Sequence, residues 1–452
     1  MPTRSANPSP SVVTRVSILA LSITFVVGTD TFLVAPLLPT LSHEYHVSTE
    51  MSGWLVSSYS IGYAAFALVA GPISDLTNRK TVIIAGLAAF ALCTAACGLA
   101  PNFWTMVALR AFAGIAASLV VPQIWATIPA VVPAERVLSA MGYGAAGLSI
   151  AQVVGVPTGS ILAATSWRLP FVVLGAVSVV VTAAVVAWFP SVPAAADGTG
   201  GILSSYRGVL GVPRARWYLV GYLVFGVGLY TVFTFIGTWY TLAFGLSVAQ
   251  IGLAIIGLGA GNAIGSIVGS RLAKRLGLSR SVLVGGCALA VLCVMLPFAP
   301  DLATAEVMLV LIFLVGGFVF PVLMTVMQSL TTTARGAVAS LTNAALYTAA
   351  SIGGAISGIL FTTFHGFYGV AFLSAVAYAT ALLLYLRGGL LTAFTQTRTA
   401  ATSAEPWGSM ASPAQRQIGS TERRGRGGSP SPSSAAAATI YDDQPDADDD
   451  RH

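Results

Sequence analysis

Charge is what this sequence has least of. Of 452 residues only 8% are Asp, Glu, Lys or Arg, against 56% hydrophobic residues, and the mean hydropathy is +0.82. A water-soluble domain carries roughly 25% charged residues, so this chain cannot cover a solvent-facing surface and most of its exterior must face lipid. Cysteine is scarce too: Cys93, Cys97, Cys287 and Cys293 all lie inside apolar runs, where they serve packing rather than redox or disulfide chemistry. The four histidines, in or near loops, supply no Ser/His/Asp arrangement, and His43-Glu44-Tyr45-His46 is spaced too loosely for a metal centre. A Walker-type loop is missing, so nucleotide hydrolysis is not the energy source. The chain is therefore expected to be no enzyme and to need no cofactor and no metal.

What the sequence does have is apolar runs about 18 to 28 residues long, the length that crosses a bilayer as a helix. They fall at 15–38, 51–73, 81–99, 103–130, 138–163, 168–189, 216–243, 249–270, 281–298, 304–329, 335–363 and 368–387. This predicts an all-α membrane protein with twelve transmembrane helices. The formal net charge of +6 does not point to nucleic acid, because the basic residues are scattered between apolar runs. One set of loops holds Arg79, Lys80, Arg136, Arg207, Arg214, Arg216, Arg271, Lys274, Arg275, Arg280 and Arg335; the other holds only Arg168. By the positive-inside rule both termini are cytoplasmic, and the expected location is the plasma membrane.

The expected organisation is a cytoplasmic lead (1–14), a six-helix bundle (15–189), a cytoplasmic linker (190–215), a second six-helix bundle (216–387) and a tail (388–452). The lead has no small-residue cleavage site behind a short apolar core, so the first run is read as a retained helix. The tail is Ser/Ala/Pro/Gly-rich with an acidic end, too apolar-poor to fold alone, and is expected to be disordered. Two features recur at nearly one offset. Gly71, before the loop with Arg79 and Lys80, matches Gly269 before Arg271 at 198 residues; Gly155 matches Gly354 at 199. Such recurrence predicts two pseudo-symmetric bundles in the same orientation, able to rock about a central cavity.

Three stretches carry chemistry. In Gly71-Pro72-Ile73-Ser74-Asp75-Leu76-Thr77-Asn78-Arg79-Lys80, Gly71 permits close helix approach, Asp75 can pair with Arg79 or face a helix N-terminus, and the basic pair holds the loop inside. In the fifth run, Gly147 and Gly155-Val156-Pro157-Thr158-Gly159 flatten one helix face while Pro157 frees a carbonyl. In the fourth, Arg110 of Leu109-Arg110-Ala111-Phe112-Ala113-Gly114 is costly in lipid and needs the cavity or a partner. Asp30 is the acidic residue placed deep in the membrane. At 1.5 Å per residue it lies roughly 13 Å below Pro39 and Arg110 about 10 Å below Phe103, at comparable depths.

On these stretches the chain, over about 15–387, resembles the major facilitator superfamily and within it the twelve-helix drug:proton antiporters. The resemblance implies that Gly71, Asp75, Arg79 and Lys80 latch one conformation, and that Gly147, Gly155, Pro157 and Gly159 form the antiporter motif of the fifth helix. Leu76 and Asn78 replace a basic residue and a glycine of the latch; Val156 and Ser160 depart from the helix motif. The resemblance also implies that the first and fourth helices line the cavity, with Asp30 the protonatable carboxylate and Arg110 governing its proton uptake. Gln123, Tyr230, Trp239, Tyr240, Asn262, Gln328, Asn343 and Tyr347 are candidate cavity residues. The expected function is export of small amphipathic molecules, drugs, antibiotics or metabolites, in exchange for protons, by a monomer in the lipid bilayer. The alternatives are a sugar or nucleoside exporter or importer of the same fold, or a receptor that binds without flux.

Overall fold

The computed structural model describes residues 10–75, 77–192, 202–329, 335–364 and 366–390. Among them there is no strand, and twelve helices are long and apolar enough to cross a membrane. They are α1 (Pro10–Glu44), α2 (Trp54–Asp75), α3 (Arg79–Cys97), α4 (Phe103–Val131), α5 (Ala134–Thr165), α6 (Leu169–Trp188), α7 (Pro213–Phe244), α8 (Val248–Leu276), α9 (Leu278–Met295), α10 (Leu302–Gln328), α11 (Arg335–Thr363) and α12 (Tyr368–Arg387). Their ends alternate between a face bearing Arg79, Lys80, Arg214 and Arg275, here the basic face, and an opposite face bearing Glu44, Glu50 and Asp301. Large apolar side chains such as Leu92, Val180 and Ile267 are exposed, as the lipid-facing surface of a membrane protein requires. The chain is a multi-pass membrane protein.

Polar caps set the helix starts. Asn78, Asn102, Ser247 and Asp301 each accept a hydrogen bond from a backbone N–H of the first turn of α3, α4, α8 and α10. Ser247 and Gln250 bond reciprocally as a capping box. At the end of α7, Gly245 takes the left-handed conformation, φ 68°, that closes a helix without a Cβ penalty.

Proline shapes α1 and α5 without ending them. α1 runs through Pro36 and Pro39 to Glu44, beyond the expected end at 38. Pro39 cannot donate to the Ala35 carbonyl, and there Gly237 of α7 packs so closely that a Cβ would lie 2.8 Å from that oxygen. In α5, Pro157 cannot donate to Val153; the helix absorbs this in a π turn over Ala151–Gly155, with Val156 N–H donating to the Ala151 carbonyl.

The linker, expected from sequence as a cytoplasmic connection over 190–215, contains a further helix, Ile202–Gly211. The apolar residues 206 and 209 share one face by helical spacing. Val209 is buried, and the Tyr206 hydroxyl donates to the Leu68 carbonyl of α2 at 3.0 Å.

A buried ion pair and a closed seam between the bundles

Asp30 of α1 and Arg110 of α4 meet. Arg110 Nη1 lies 2.6 Å from Asp30 Oδ2, with the two side chains 1% and 0% exposed. Because α1 extends to Glu44, Asp30 lies roughly 20 Å from its end, close to the middle of the bilayer. Arg110 also donates through Nε to the Leu55 carbonyl at 3.3 Å and through Nη2 to the Asp30 carbonyl at 3.5 Å. Its guanidinium sits 4.5 Å over the Tyr59 ring. Thr94 of α3 donates to Asp30 Oδ1 at 3.4 Å. The pair is thus held by α1 to α4 inside the first bundle, enclosed rather than open to a cavity. Taking two charges out of water costs several kcal/mol per ion, and removing one partner alone costs about 3–5 kcal/mol. A group so placed is a functional candidate first and a structural one second.

The two bundles touch mainly between the middle of the membrane and the opposite face. The start of α2 meets α11 through Gly53, the residue just before the helix, and Gly354: a Cβ on Gly53 would stand 2.3 Å from the Gly354 carbonyl oxygen. One turn on, Ser57 Oγ donates to the Ser351 carbonyl at 2.9 Å, and Thr362 donates to Glu50 at 2.6 Å nearer the surface. α1 meets α7 at Gly237 and through Phe32 and Phe233, edge to face at 5.4 Å. α5 meets α8 where Gly252 packs on Ser160, Gly259 packs on Gln152, and Asn262 donates to Gln152 at 3.0 Å. Midway along α2 and α11, Tyr63 and Tyr347 stack at 3.5 Å.

Among the residues singled out from sequence, Gly147, Gly155 and Gly159 face α1: a Cβ there would meet Thr24, Thr29 and Leu33 at 2.1, 2.1 and 2.4 Å. Pro157 is buried, its carbonyl against Gly252. Arg79 donates to the Ala126 carbonyl and Lys80 to the Val186 carbonyl, both within the first bundle. The packing around Gly71, the side chain of Asp75, residue Leu76 and the tail beyond 390 lie outside the described residues. Gln123 is buried and donates to the Ala70 carbonyl at 3.4 Å. Trp239 stacks on Phe367 at 4.5 Å, and the Tyr240 hydroxyl donates to Glu306; both are buried at the opposite face. Glu306 is in the first turns of α10. Tyr230 packs where α7 meets Gly353 of α11, while Asn262, Gln328, Asn343 and Tyr347 are half-buried. Sequence reasoning missed Tyr59, Tyr63, Thr94, Gln152 and the Gly53 seam. Tyr59 and Tyr63, four apart on one helix face, were the signal available.

Set on this fold, the comparison with known proteins is decisive: the Major Facilitator Superfamily matches residues 20–354 and 219–418. The chain belongs to the major facilitator superfamily. The match runs to 418, past residue 387 where the sequence reading ended the resemblance. As a major facilitator it is 41% identical over 368 residues to the MFS-type transporter YceJ of Bacillus subtilis (strain 168), covering 81% of this chain and 94% of that protein. It is 28% identical over 364 residues to a chloramphenicol resistance protein of Streptomyces lividans, covering 79% and 92%. Its fold is similar to that of a bacterial homologue of the human lysosomal transporter Spinster, at a TM-score of 0.66 and 16% identity over 88% of this chain and all of that one. The chain is a major facilitator transporter.

Proposed function

We propose that this transporter exports small amphipathic molecules across the plasma membrane in exchange for protons, by alternating access. The observation that carries the reading is the Asp30–Arg110 pair, fully buried near mid-membrane. Protonating Asp30 removes one charge and leaves Arg110 with two carbonyls and the Tyr59 ring. Breaking a buried pair from one side is worth about 3–5 kcal/mol, and driving a two-state equilibrium from 1:99 to 99:1 takes about 5.5 kcal/mol. One proton therefore supplies an energy of the size that a rocking step needs, provided that the pair is kept in one state and lost in the other.

Sidedness follows from charge: the basic face is cytoplasmic, with both termini there. The seam at Gly53, Ser57 and Glu50 then closes the external side, the arrangement in which substrate enters from the cytoplasm. The half-buried Asn343, Gln328, Asn262 and Tyr347 are the wall it meets; Gln123, Trp239 and Tyr240, committed to packing, are not. Relatedness to a chloramphenicol resistance protein supports export of a small amphipathic compound.

The test is efflux from cells lacking their own exporters, with wild type and Asp30→Asn at equal membrane levels, with and without a protonophore. Wild-type efflux should collapse with the protonophore, and Asp30→Asn should match that collapsed rate. Undiminished efflux by Asp30→Asn would remove the carboxylate from the mechanism.

A further inference from the structure

The Tyr63–Tyr347 contact is unlike the other ring contacts that link the bundles. Phe32 and Phe233 meet edge to face, the arrangement that aromatic quadrupoles favour and that fills a core. Tyr63 and Tyr347 instead lie face to face, with centroids 3.5 Å apart and planes within 15°. Each comes from a different bundle, so the stack exists only while α2 and α11 are together. Tyr63 is fully buried, and its hydroxyl makes no well-aligned hydrogen bond, its polar neighbour being the Tyr347 hydroxyl across the stack. Tyr347 is half-buried, so one partner of the stack stays open to an incoming molecule. Tyr59 flanks it at 6.5 Å, with its own hydroxyl 3.1 Å from Thr31 Oγ1.

A buried hydroxyl whose neighbour is poorly aligned to bond it is a standing cost that a ligand can relieve. A flat ring is the shape a face-to-face tyrosine pair accepts, because it replaces each tyrosine's neighbour with another π face. We propose that the Tyr63–Tyr347 stack is a binding site for a flat aromatic group with a polar edge, which the two tyrosines fill with each other until a ligand enters between them. This rests on the transport reading and deepens it. The ring contributes the stacking area, and its polar edge bonds the Tyr63 hydroxyl.

Entry also has a mechanical result. A ring between Tyr63 and Tyr347 separates α2 from α11 by its own thickness. Ser57 and Ser351, 2.9 Å apart on the same two helices, cannot follow without losing their bond. Binding in the middle of the membrane thus loosens the seam beyond it, the differential interaction by which a ligand shifts a two-state equilibrium.

The test uses the full chain purified into lipid nanodiscs and two cations of equal charge: ethidium, which is flat, and tetraphenylphosphonium, whose rings are twisted out of a common plane. Titration calorimetry is run on wild type, Tyr347→Phe and Tyr347→Leu. Tyr347→Phe should bind ethidium within about threefold of wild type, and Tyr347→Leu about tenfold more weakly, while tetraphenylphosphonium binding changes little in either. Photolabelling of wild type with ethidium monoazide, read by peptide mapping, should mark the segments around Tyr63 and Tyr347 and needs no variant to fold. Equal ethidium affinity in wild type and Tyr347→Leu, label confined to other helices, or no saturable ethidium binding by wild type would each overturn the site. Those readouts are of binding: efflux that does not favour flat compounds would sink this site and leave transport standing, whereas binding without flux would do the reverse.

Discussion

Replacing Gly53 by alanine should open the seam between α2 and α11 from the inside. The new Cβ would stand 2.3 Å from the Gly354 carbonyl oxygen, a backbone atom that no rotamer change can move. Ordinary contact for such a pair begins near 3.4 Å, so the helices must part by about 1 Å, a gap that already forfeits a quarter to a half of each dispersion contact. That displacement takes the Ser57–Ser351 bond from 2.9 Å to beyond hydrogen-bond reach. A lost hydrogen bond costs about 1 kcal/mol and the weakened dispersion about as much again. A total near 2 kcal/mol shifts the closed-to-open ratio roughly thirtyfold. The assay places a reporter thiol by Ser351→Cys, which keeps the acceptor carbonyl, in a chain with its four native cysteines replaced. A membrane-impermeant maleimide is then added only at the face away from Arg79 and Lys80. Labelling of the reporter should accelerate at least tenfold when Gly53→Ala is added. Gly142→Ala, with open space around its Cβ, is the control and should leave the rate unchanged. Equal labelling with and without Gly53→Ala, in protein that labels fully once denatured, would refute the claim that this seam holds the face shut.

Gly155→Ala drives a Cβ to 2.1 Å from Thr29 Oγ1 and should lower stability by about 1–3 kcal/mol. Thr29 Oγ1 has no hydrogen-bond partner to lose, so adding Thr29→Ala should restore much of the melting temperature in detergent. Tyr206→Phe removes the bond from the linker helix to the Leu68 carbonyl, worth about 1 kcal/mol, and should speed proteolytic cutting of the linker several-fold while the bundles melt unchanged. Asp301 caps α10, and the bond from the Thr304 N–H holds its carboxyl below the ordinary 3.8. Its contribution to stability is full above that ordinary value and is lost as pH falls through the lowered one. Melting temperatures of wild type and Asp301→Ala should therefore differ at pH 6 and converge toward pH 3.

The membrane class and the number of helices were legible because they rest on composition and run length, which no tertiary contact can override. The association of Asp30 with Arg110 was legible for a related reason: each charge is too costly alone in lipid, and helix rise puts both at similar depth. Less could be read of the cavity. Trp239 and Tyr240 carry polar atoms that suit a ligand equally well on paper, but α10 and the loop before α12 supply Glu306 and Phe367 as partners, and sequence spacing holds no information on which helix will face which. The seam was invisible for the opposite reason. Gly53, Gly354 and Ser57 have no distinctive chemistry, and their importance comes from a carbonyl brought within 2.3 Å of a missing side chain. The linker helix, with residues 206 and 209 on one face, was readable and was hidden only by the polar residues around it.

The duplication of the fold does not extend to its charges. At the offset of 198 that relates Gly71 to Gly269, Asp30 corresponds to Gly228 and Arg110 to Met308. Gly228 lies against the Ser374 carbonyl and the Tyr378 ring, packing with no room for an acid. Among the described residues the buried pair lies in the first bundle alone, so in the proposed cycle a proton taken up there would change the energy of that bundle, and the other would have to sense it through the interface. The distances give that signal a short route: Arg110 lies 4.5 Å over the Tyr59 ring, and Tyr59 lies 6.5 Å from Tyr347 of the second bundle. In the proposed cycle a neutral Asp30 would leave Arg110 against the Tyr59 ring, the ring that flanks the Tyr63–Tyr347 stack. Proton and substrate would then act on one pair of helices, α2 and α11, from adjacent positions, and neither bundle would need a charge relay of its own.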